Sequence, residues 1–159
     1  MAREQASGKN TDKKALWQTY LSKGGTIGKV RNLDEAHMES IYSLAHAQFS
    51  SGHYEEALRM FRYMALMDHR NPRYFLGMGL ALHRMSRDEQ AIPALSYADR
   101  LDKKDPRPSL CMTECFIRLK QRRLAKKALM EAVKRIKKDA RWSKELKQAK
   151  QLKRYLLEQ

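Results

Sequence analysis

Apolar and polar residues follow one another along this chain with the spacing of amphipathic helices. From about residue 12 to residue 157 the apolar positions recur three or four residues apart, so they fall on one side of a helix. The pattern predicts a helix near 12–22, helix pairs at about 34–68, 72–101 and 106–138, and a last helix at about 141–157. A turn containing Gly24, Gly25 and Gly28 separates the first helix from the pairs, and the first ten residues are predicted to be disordered.

The helix pairs repeat with a period of 34 residues. The tripeptide at 71–73, Asn-Pro-Arg, recurs as Asp-Pro-Arg at 105–107. Two further sets of residues keep the same spacing: Ala57, Ala91 and Ala125, and Phe61, Leu95 and Leu129. Pro72 and Pro106 are predicted at the first helical position, where a missing N–H costs nothing, each behind a capping Asn or Asp. A 34-residue period of helix pairs is typical of tetratricopeptide repeats.

The first helix of each pair also carries the packing pattern of that repeat. Its positions are filled by Ile41, Leu44, Ala45 and Gln48, then Phe75, Met78, Gly79 and Leu82, then Ser109, Met112, Thr113 and Phe116. The large residues are expected to pack between the two helices, and the small one allows the backbones to approach. The fold predicted is all-α: three tandem tetratricopeptide-like helix pairs with an N-terminal helix and a C-terminal capping helix. The segments are 1–10 (disordered tail), 11–33 (N-terminal helix and turn), 34–138 (three repeats) and 139–159 (capping helix).

A second stripe on the same three helices lies beside the packing positions. It consists of Tyr42, His46 and Phe49, then Leu76, Leu80 and His83, then Leu110, Glu114 and Ile117. Six of these nine residues are large and apolar or aromatic, and the first helices of stacked pairs line the concave side of an array. The stripe therefore predicts a continuous apolar groove that binds a polypeptide. The alternative is that these helices are buried all round.

The positive charge is concentrated at the C-terminal end. The net charge is +15, and residues 118–159 contain sixteen basic and four acidic residues, a net of +12. In the last helix, Trp142, Leu146, Ala149 and Leu156 keep helical spacing with lysines between them, as expected of a terminal cap. Because the basic residues occupy several faces and few aromatic residues lie among them, a solvated basic surface is favoured over direct nucleic-acid binding. Attraction to acidic partner segments is another use of this charge.

The sequence lacks the apolar segments that direct a protein into or across a membrane. There is no run of 18 apolar residues and no apolar segment behind the basic start, so we expect neither a secreted nor a membrane-spanning protein. Cys111 and Cys115 are four apart in a predicted helix, which suggests small side chains filling a contact in a reducing cytoplasm.

No site for catalysis or for a cofactor is predicted. There is no Gly-rich phosphate loop, nucleophile elbow or recognisable carboxylate pair, and Gly77 and Gly79 form only G-x-G inside a helix. His46 and His83 have no second ligand at i+4 and no nearby Cys or carboxylate cluster in the sequence, so no metal is expected. The sequence indicates a binding protein and not an enzyme.

Three stretches carry a more specific resemblance. They are GGTIGKVRNL at 24–33, IYSLAHAQFSSGHYEEALRMFRYMALMDHRNPRYFLGMG at 41–79, and AIPALSYADRLDKKDPR at 91–107. Together they resemble the class II chaperones of bacterial type III secretion, the LcrH/SycD type that guards translocator proteins. The resemblance implies a protein of the bacterial cytoplasm that holds two hydrophobic translocator subunits in its groove until export. Some members also act with a transcription factor, which leaves a regulatory scaffold as the alternative function.

The resemblance also implies roles for individual residues. Tyr42, Phe49 and Tyr54 match aromatic groove positions of the family and Met67 matches an aliphatic one, whereas His46 and Leu95 stand where members often carry aromatics. The peptide-binding set expected is Tyr42, His46, Phe49, Tyr54, Met67, Leu76, Leu80, His83, Leu95, Leu110 and Ile117. Family members form homodimers through the N-terminal helix, which here corresponds to Leu16, Trp17, Tyr20 and Leu21.

Overall fold

Nine helices follow one another in the part of the chain that the structure, a computed structural model, describes: residues 16–32, 34–137 and 139–158. The first, α1, is helical over 16–22. The others are α2 (Ile27–Val30), α3 (Glu35–Ser50), α4 (Tyr54–Met67), α5 (Pro72–Arg84), α6 (Asp88–Leu101), α7 (Arg107–Arg118), α8 (Arg122–Ile136) and α9 (Ser143–Glu158), the last preceded by a 3₁₀ turn at Ala140–Trp142. The all-α fold predicted from the sequence is confirmed. The tail predicted at 1–10 and the first turn of the helix predicted at 12–22 lie outside the described residues.

Side-chain caps set the starts of the first helices of the pairs. The Asp34 carboxylate accepts from the His37 backbone N–H at 2.6 Å, and the Asn71 side chain accepts from the Arg73 N–H at 3.1 Å. Pro72 occupies the first turn of α5 as predicted. The Asp105 carboxylate accepts from the Arg107 N–H at 2.9 Å, but α7 begins at Arg107, one residue later than predicted. These caps satisfy N–H groups that have no partner inside the helix.

The helix pairs pack into three adjoining apolar clusters. One joins α3, α4 and the start of α5 around Phe61 and Met64, and the next joins α4, α5, α6 and α7 around Leu58 and Leu95. The third joins α7, α8 and α9 around Leu110. Each pair therefore buries its apolar side against the following pair, as in other stacked repeats.

The small residues at the packing positions are buried where helices approach closely, as the sequence predicts. Ala45 and Thr113 are fully buried, and Gly79 of α5 lies against Leu95 of α6. A Cβ on Gly79 would lie 2.4 Å from the Leu95 Cγ, so only glycine fits where these two helices cross. The 34-residue spacing of small residues therefore fixes how closely the helices approach.

One packing assignment is wrong. Leu44 was expected between the helices of the first repeat, but its side chain is 49% exposed. The equivalent Met78 and Met112 pack against the cluster of the preceding repeat. Among the described residues no repeat lies before α3, so this side of α3 has no repeat to pack against there.

The last helix covers the end of the array as a cap. Ala149 and Leu156 of α9 are buried against α7 and α8, while Leu146 and Trp142 are half-buried. The Arg122 guanidinium donates to the Leu156 carbonyl at 2.8 Å. None of the helices described in the structure is both long and apolar enough to cross a bilayer.

Candidate binding face

The first helices α3, α5 and α7 build one continuous surface, called here the first-helix face. The Arg73 guanidinium of α5 donates to the Glu39 carboxylate of α3 at 2.9 Å and lies 3.8 Å from the centre of the Tyr42 ring. His83 of α5 contacts Glu114 of α7 at 3.2 Å. The Gln148 amide of α9 donates to the same Glu114 at 2.8 Å. These contacts run across the predicted groove from its first repeat to the capping helix.

An aromatic cluster forms the N-terminal part of the face. The Tyr42 ring contacts Phe61 and Tyr74, both at 6.0 Å between ring centres, and Phe49 contacts Tyr54 at 5.3 Å. The His46 Nε2 is 2.9 Å from the Tyr42 hydroxyl. Tyr42, Phe49 and Tyr54 are half-buried. Their free ring surface can therefore take part in apolar contacts while their positions are fixed by packing.

The charge state of His46 follows from its position in this cluster. His46 is exposed overall, but partial desolvation of its ring against the cluster, and then the nearby guanidinium groups of Arg73 and Arg107, lower the pKa of His46. The imidazole is therefore uncharged at neutral pH, and it can donate or accept one hydrogen bond. A polar group beside an apolar surface suits a ligand that offers both side chains and backbone.

A polar network lies beneath the middle of the face. The buried His83 imidazole is 2.6 Å from the Asp88 carboxylate and 3.4 Å from the Cys115 thiol. Hydrogen bonds to Cys115 and Glu114 raise the pKa of His83 to about 10, against the opposing effect of burial. Arg118 pairs with Asp88 at 3.1 Å. The imidazolium therefore sits among acidic partners and ties α5 to the start of α6 and to α7.

This network corrects the sequence interpretation of His83. No Cys or carboxylate was expected near it, yet donor atoms of His83, Cys111 and Cys115 lie within 4.8 Å of one another. Both cysteines are buried and free, as expected of side chains that fill a helix contact. The histidine is already paired with two carboxylates, so the contacts present account for its burial.

The C-terminal part of the face opens into a cleft of about 810 Å³ between α7 and α9. Its walls include Ile117 and Glu114 from the predicted stripe, and Leu152, Tyr155 and Leu156 from α9. Sequence reasoning missed Leu152 and Tyr155. The signal available was their three-residue spacing in α9, but nothing in the sequence places α9 against α7.

The predicted peptide-binding residues separate into two groups. His46 is exposed, and Tyr42, Phe49, Tyr54, Leu80 and Ile117 are half-buried. Met67, Leu76, His83, Leu95 and Leu110 are buried. Leu76, His83 and Leu110 belong to the predicted stripe, and the expectation that the stripe is exposed is wrong for them: Leu76 packs in the cluster with α4 and α6, Leu110 packs in the cluster with α8 and α9, and His83 is paired with Asp88. Met67 and Leu95, expected in the groove from the family resemblance, lie in the core on α4 and α6. Ligand contact by the first group stays a prediction.

The predicted dimer residues separate in a similar way. Leu16 and Trp17 of α1 are 69% and 45% exposed, whereas Tyr20 and Leu21 are half-buried. The Tyr20 ring lies where a Cβ on Gly25 would be, 2.2 Å away, and its hydroxyl donates to the Thr26 carbonyl at 3.4 Å. Leu16 and Trp17 therefore remain as the apolar surface of α1.

Known proteins similar in sequence match about half of this chain. No protein-family model matches it. The "Low calcium response locus protein H" of Yersinia pestis is 36% identical over 75 residues, which is 47% of this chain and 45% of that protein. The same protein of Yersinia pseudotuberculosis matches equally well. The match thus spans less than half the length of these curated relatives.

Solved structures extend the similarity over most of the fold. The type III secretion translocator chaperone SycD of Yersinia enterocolitica has a TM-score of 0.77 and 29% identity, covering 86% of this chain and 99% of SycD. PcrH of Pseudomonas aeruginosa has a TM-score of 0.76 and 25% identity, covering 79% and 95%. A type III secretion complex from Aeromonas hydrophila shares the fold, with a TM-score of 0.82, 23% identity and coverage of 89% and 93%. The resemblance to the class II translocator chaperones of type III secretion is therefore confirmed in sequence and in fold.

Proposed function

We propose that this protein is a chaperone that binds extended segments of hydrophobic type III secretion translocator proteins on the first-helix face, keeping them soluble and competent for export. The observation that supports this most directly is the run of half-buried Tyr42, Phe49, Leu80 and Ile117 across α3, α5 and α7, ending in the cleft beside α9. SycD has been solved with a peptide of the translocator YopD, and PcrH with the chaperone-binding regions of PopD and PopB.

The face has the properties that such a ligand needs. An extended segment offers apolar side chains at intervals and leaves its backbone polar groups to be satisfied. Three anchors buried at about 1.5–3 kcal/mol each give roughly 5–9 kcal/mol before the cost of ordering, so micromolar affinity is expected for the groove alone. His46 and Glu114 lie beside the apolar positions and can bond to the backbone of the ligand.

The proposal also covers the mode of action, the cellular location and the oligomeric state of the protein. The chain acts by binding and without catalysis, in the bacterial cytoplasm, and it forms a homodimer through the exposed Leu16 and Trp17 of α1. SycD is known in an alternative dimer form. The second candidate, a regulatory scaffold with a transcription factor, has no support in the relatives described above.

The proposal is tested in two steps: the ligand is first identified, and its binding is then measured with a variant of the first-helix face. Co-expression with candidate translocators, pull-down and mass spectrometry identifies the partner, and calorimetry measures binding of a peptide from it. The double variant Tyr42→Ala/Phe49→Ala removes two anchors, so affinity should fall about a hundredfold or more.

A second variant separates binding from folding. Leu58→Ala removes a fully buried side chain of α4 and should lower stability while leaving the face intact. It should bind the peptide normally at temperatures where it is folded. Full-strength binding by the Tyr42/Phe49 variant would place the ligand on another surface and contradict the proposal.

A further inference from the structure

The second surface of interest is a cleft of about 840 Å³ between α8 and α9, called here the basic cleft. It lies in the strongly basic C-terminal third, on a different side of α8 and α9 from the cleft that ends the first-helix face. Met130 of α8 is 72% exposed and Leu157 of α9 is 69% exposed, and both line this cleft. Leu129, Val133 and Leu156 complete an apolar floor.

The apolar floor follows from the register of α8. Ala125, Leu129, Ala132 and Ile136 form its buried stripe against α7 and α9. Met130 and Val133 lie beside that stripe, one position further around the helix. Met130 has most of its side chain exposed, whereas Val133 also packs on the core cluster around Leu110. Together with Leu157 of α9, Met130 forms exposed apolar surface of the kind that marks an interaction site.

Lysines surround the floor. The cleft is lined by Lys126 and Lys134 of α8, Lys137 just after α8 and Lys153 of α9, with Glu131 as the acidic residue among its walls. Within residues 16–158, excluding the two positions left undescribed, none of these four lysines forms an ion pair. Their charge is therefore free to act on a partner, and it adds up around one apolar groove.

We propose that the basic cleft binds an acidic amphipathic helix of a partner protein. A groove between two packed helices accepts the apolar side of a third helix, whose residues interdigitate with the ridges on either side. Acidic residues along the flanks of that helix then meet the lysine rim, which fixes its register and speeds association.

The same features argue against other occupants. A second copy of this chain would bring lysines against lysines if the two clefts met. A nucleic-acid backbone would satisfy the lysines but would leave Met130 and Leu157 in water. An anionic lipid surface has both charge and apolar content, so the experiment must distinguish it from a helix.

The probe is a synthetic acidic peptide of 18 residues, capped at both ends, with leucines at helical spacing and glutamates on the flanks. Binding to the full chain is measured by fluorescence anisotropy at 150 mM salt. We expect micromolar affinity for this peptide and at least tenfold weaker binding of a scrambled peptide with the same composition. Equal binding of the two peptides would overturn the proposal, since it would mean that bulk charge alone attracts them.

Matched variants locate the site. Met130→Glu and Leu66→Glu change the net charge equally, and both replace an exposed residue, since Leu66 of α4 is 60% exposed. Met130→Glu should weaken peptide binding at least tenfold, and Leu66→Glu should change it less than twofold. Equal effects of the two variants would contradict the proposal.

Two further measurements decide between a helix and a lipid surface. Vesicles of phosphatidylcholine and phosphatidylglycerol are tested by co-sedimentation with the same variants, and circular dichroism reports whether the peptide becomes helical on binding. Helix formation with little vesicle binding supports the proposal. Stronger binding to vesicles than to the peptide, lost in Met130→Glu, would show a membrane-surface site and overturn it. The Tyr42→Ala/Phe49→Ala variant should bind the acidic peptide normally, so this result is independent of the first-helix face.

Discussion

At the residue scale, stability depends on whether a side chain has a neighbouring repeat to pack against. Leu95 of α6 is fully buried against Gly79, whereas Leu44 of α3 is 49% exposed on the open side of the first repeat. Both leucines belong to the 34-residue pattern, Leu44 with Met78 and Met112 and Leu95 with Phe61 and Leu129. The exposure of Leu44 comes from its place in the first repeat, because the equivalent Met78 and Met112 pack on the repeat before them.

Truncation of these two leucines should therefore have very different effects. Leu95→Ala loses transfer free energy and leaves a cavity, so it should lower the free energy of unfolding by about 2–5 kcal/mol. Leu44→Ala should lower it by less than about 1 kcal/mol, because much of this side chain is already in water. Urea unfolding followed by circular dichroism measures both. A large loss in Leu44→Ala would show that this side is covered in solution, as a dimer contact would do.

The carboxylate of Asp99 makes the stability of the folded protein depend on pH in the acidic range. The Arg135 guanidinium donates to Asp99 at 3.1 Å, and both side chains are largely buried. Burial alone would raise the pKa of Asp99, but hydrogen bonds from Arg135, Ser109 and Lys103 together lower it to about 2. The unfolded value is about 3.9. The ionised Asp99 carboxylate thus contributes to the free energy of unfolding above pH 4, and this contribution is lost as pH falls from about 4 towards 2.

Asp99→Asn should remove this dependence. At pH 7 the variant should be less stable by about 3 kcal/mol, because Arg135 is left without its partner. The difference from the unmodified protein should shrink as pH falls below 4, and urea titrations between pH 3 and pH 7 measure it. As a control, Glu56→Gln breaks an exposed pair with Arg59 and should have little effect at any pH. A constant difference across the pH range would contradict the assignment.

At the element scale, α1 presents its apolar residues in two directions. Tyr20 packs on Gly25, while Leu16 and Trp17 are exposed beside Val30, in a shallow cleft of about 330 Å³. If this surface forms the homodimer, the double variant Leu16→Glu/Trp17→Glu should be a folded monomer by light scattering. Leu157→Glu, at a residue as exposed as Leu16, should stay dimeric. A dimer in the α1 variant would remove this helix from the interface.

Most helix boundaries follow from the sequence because three features share one period. The predicted pairs at 34–68, 72–101 and 106–138 lie within about two residues of the observed bounds.

The short helix α2 was missed, since Gly28 indicated a turn. In the structure Gly28 is buried against the Met67 backbone, and the Thr26 hydroxyl accepts from the Lys29 N–H at 3.3 Å. The Thr26 cap is a local contact that the sequence could have indicated, whereas the Gly28 contact depends on α4, which a local pattern does not place.

The candidate site was predicted less completely than the fold. Helical spacing brings Tyr42, His46 and Phe49 together on α3, and the structure agrees. The burial of Leu110 depends on α8 and α9, and the pairing of His83 depends on the turn that brings Asp88 back to it. Periodicity identifies the side of a helix, but it does not say which element covers that side.

At the scale of the whole molecule, charge is unevenly distributed. Residues 118–159 hold a net charge of +12 out of +15, so any polyanion will be attracted to the end formed by α8 and α9. Binding to duplex DNA should be weak, indifferent to sequence and lost steeply between low and physiological salt. Anisotropy with two unrelated duplexes across a salt series measures this. Nanomolar, sequence-selective binding at 150 mM salt would favour a nucleic-acid function.

Chemical labelling of the buried cysteine pair can measure how often the third repeat opens. A hydrogen bond from the Cys111 thiol lowers the pKa of Cys115, opposed by burial and helped by His83, while the core shields the Cys115 sulfur from solvent. Alkylating reagents can therefore reach it only when α7 transiently separates from its neighbours. The labelling rate then measures how often that opening occurs. A ligand that bridges α5 and α7 slows the reaction in proportion to its occupancy, with no added fluorophore or tag.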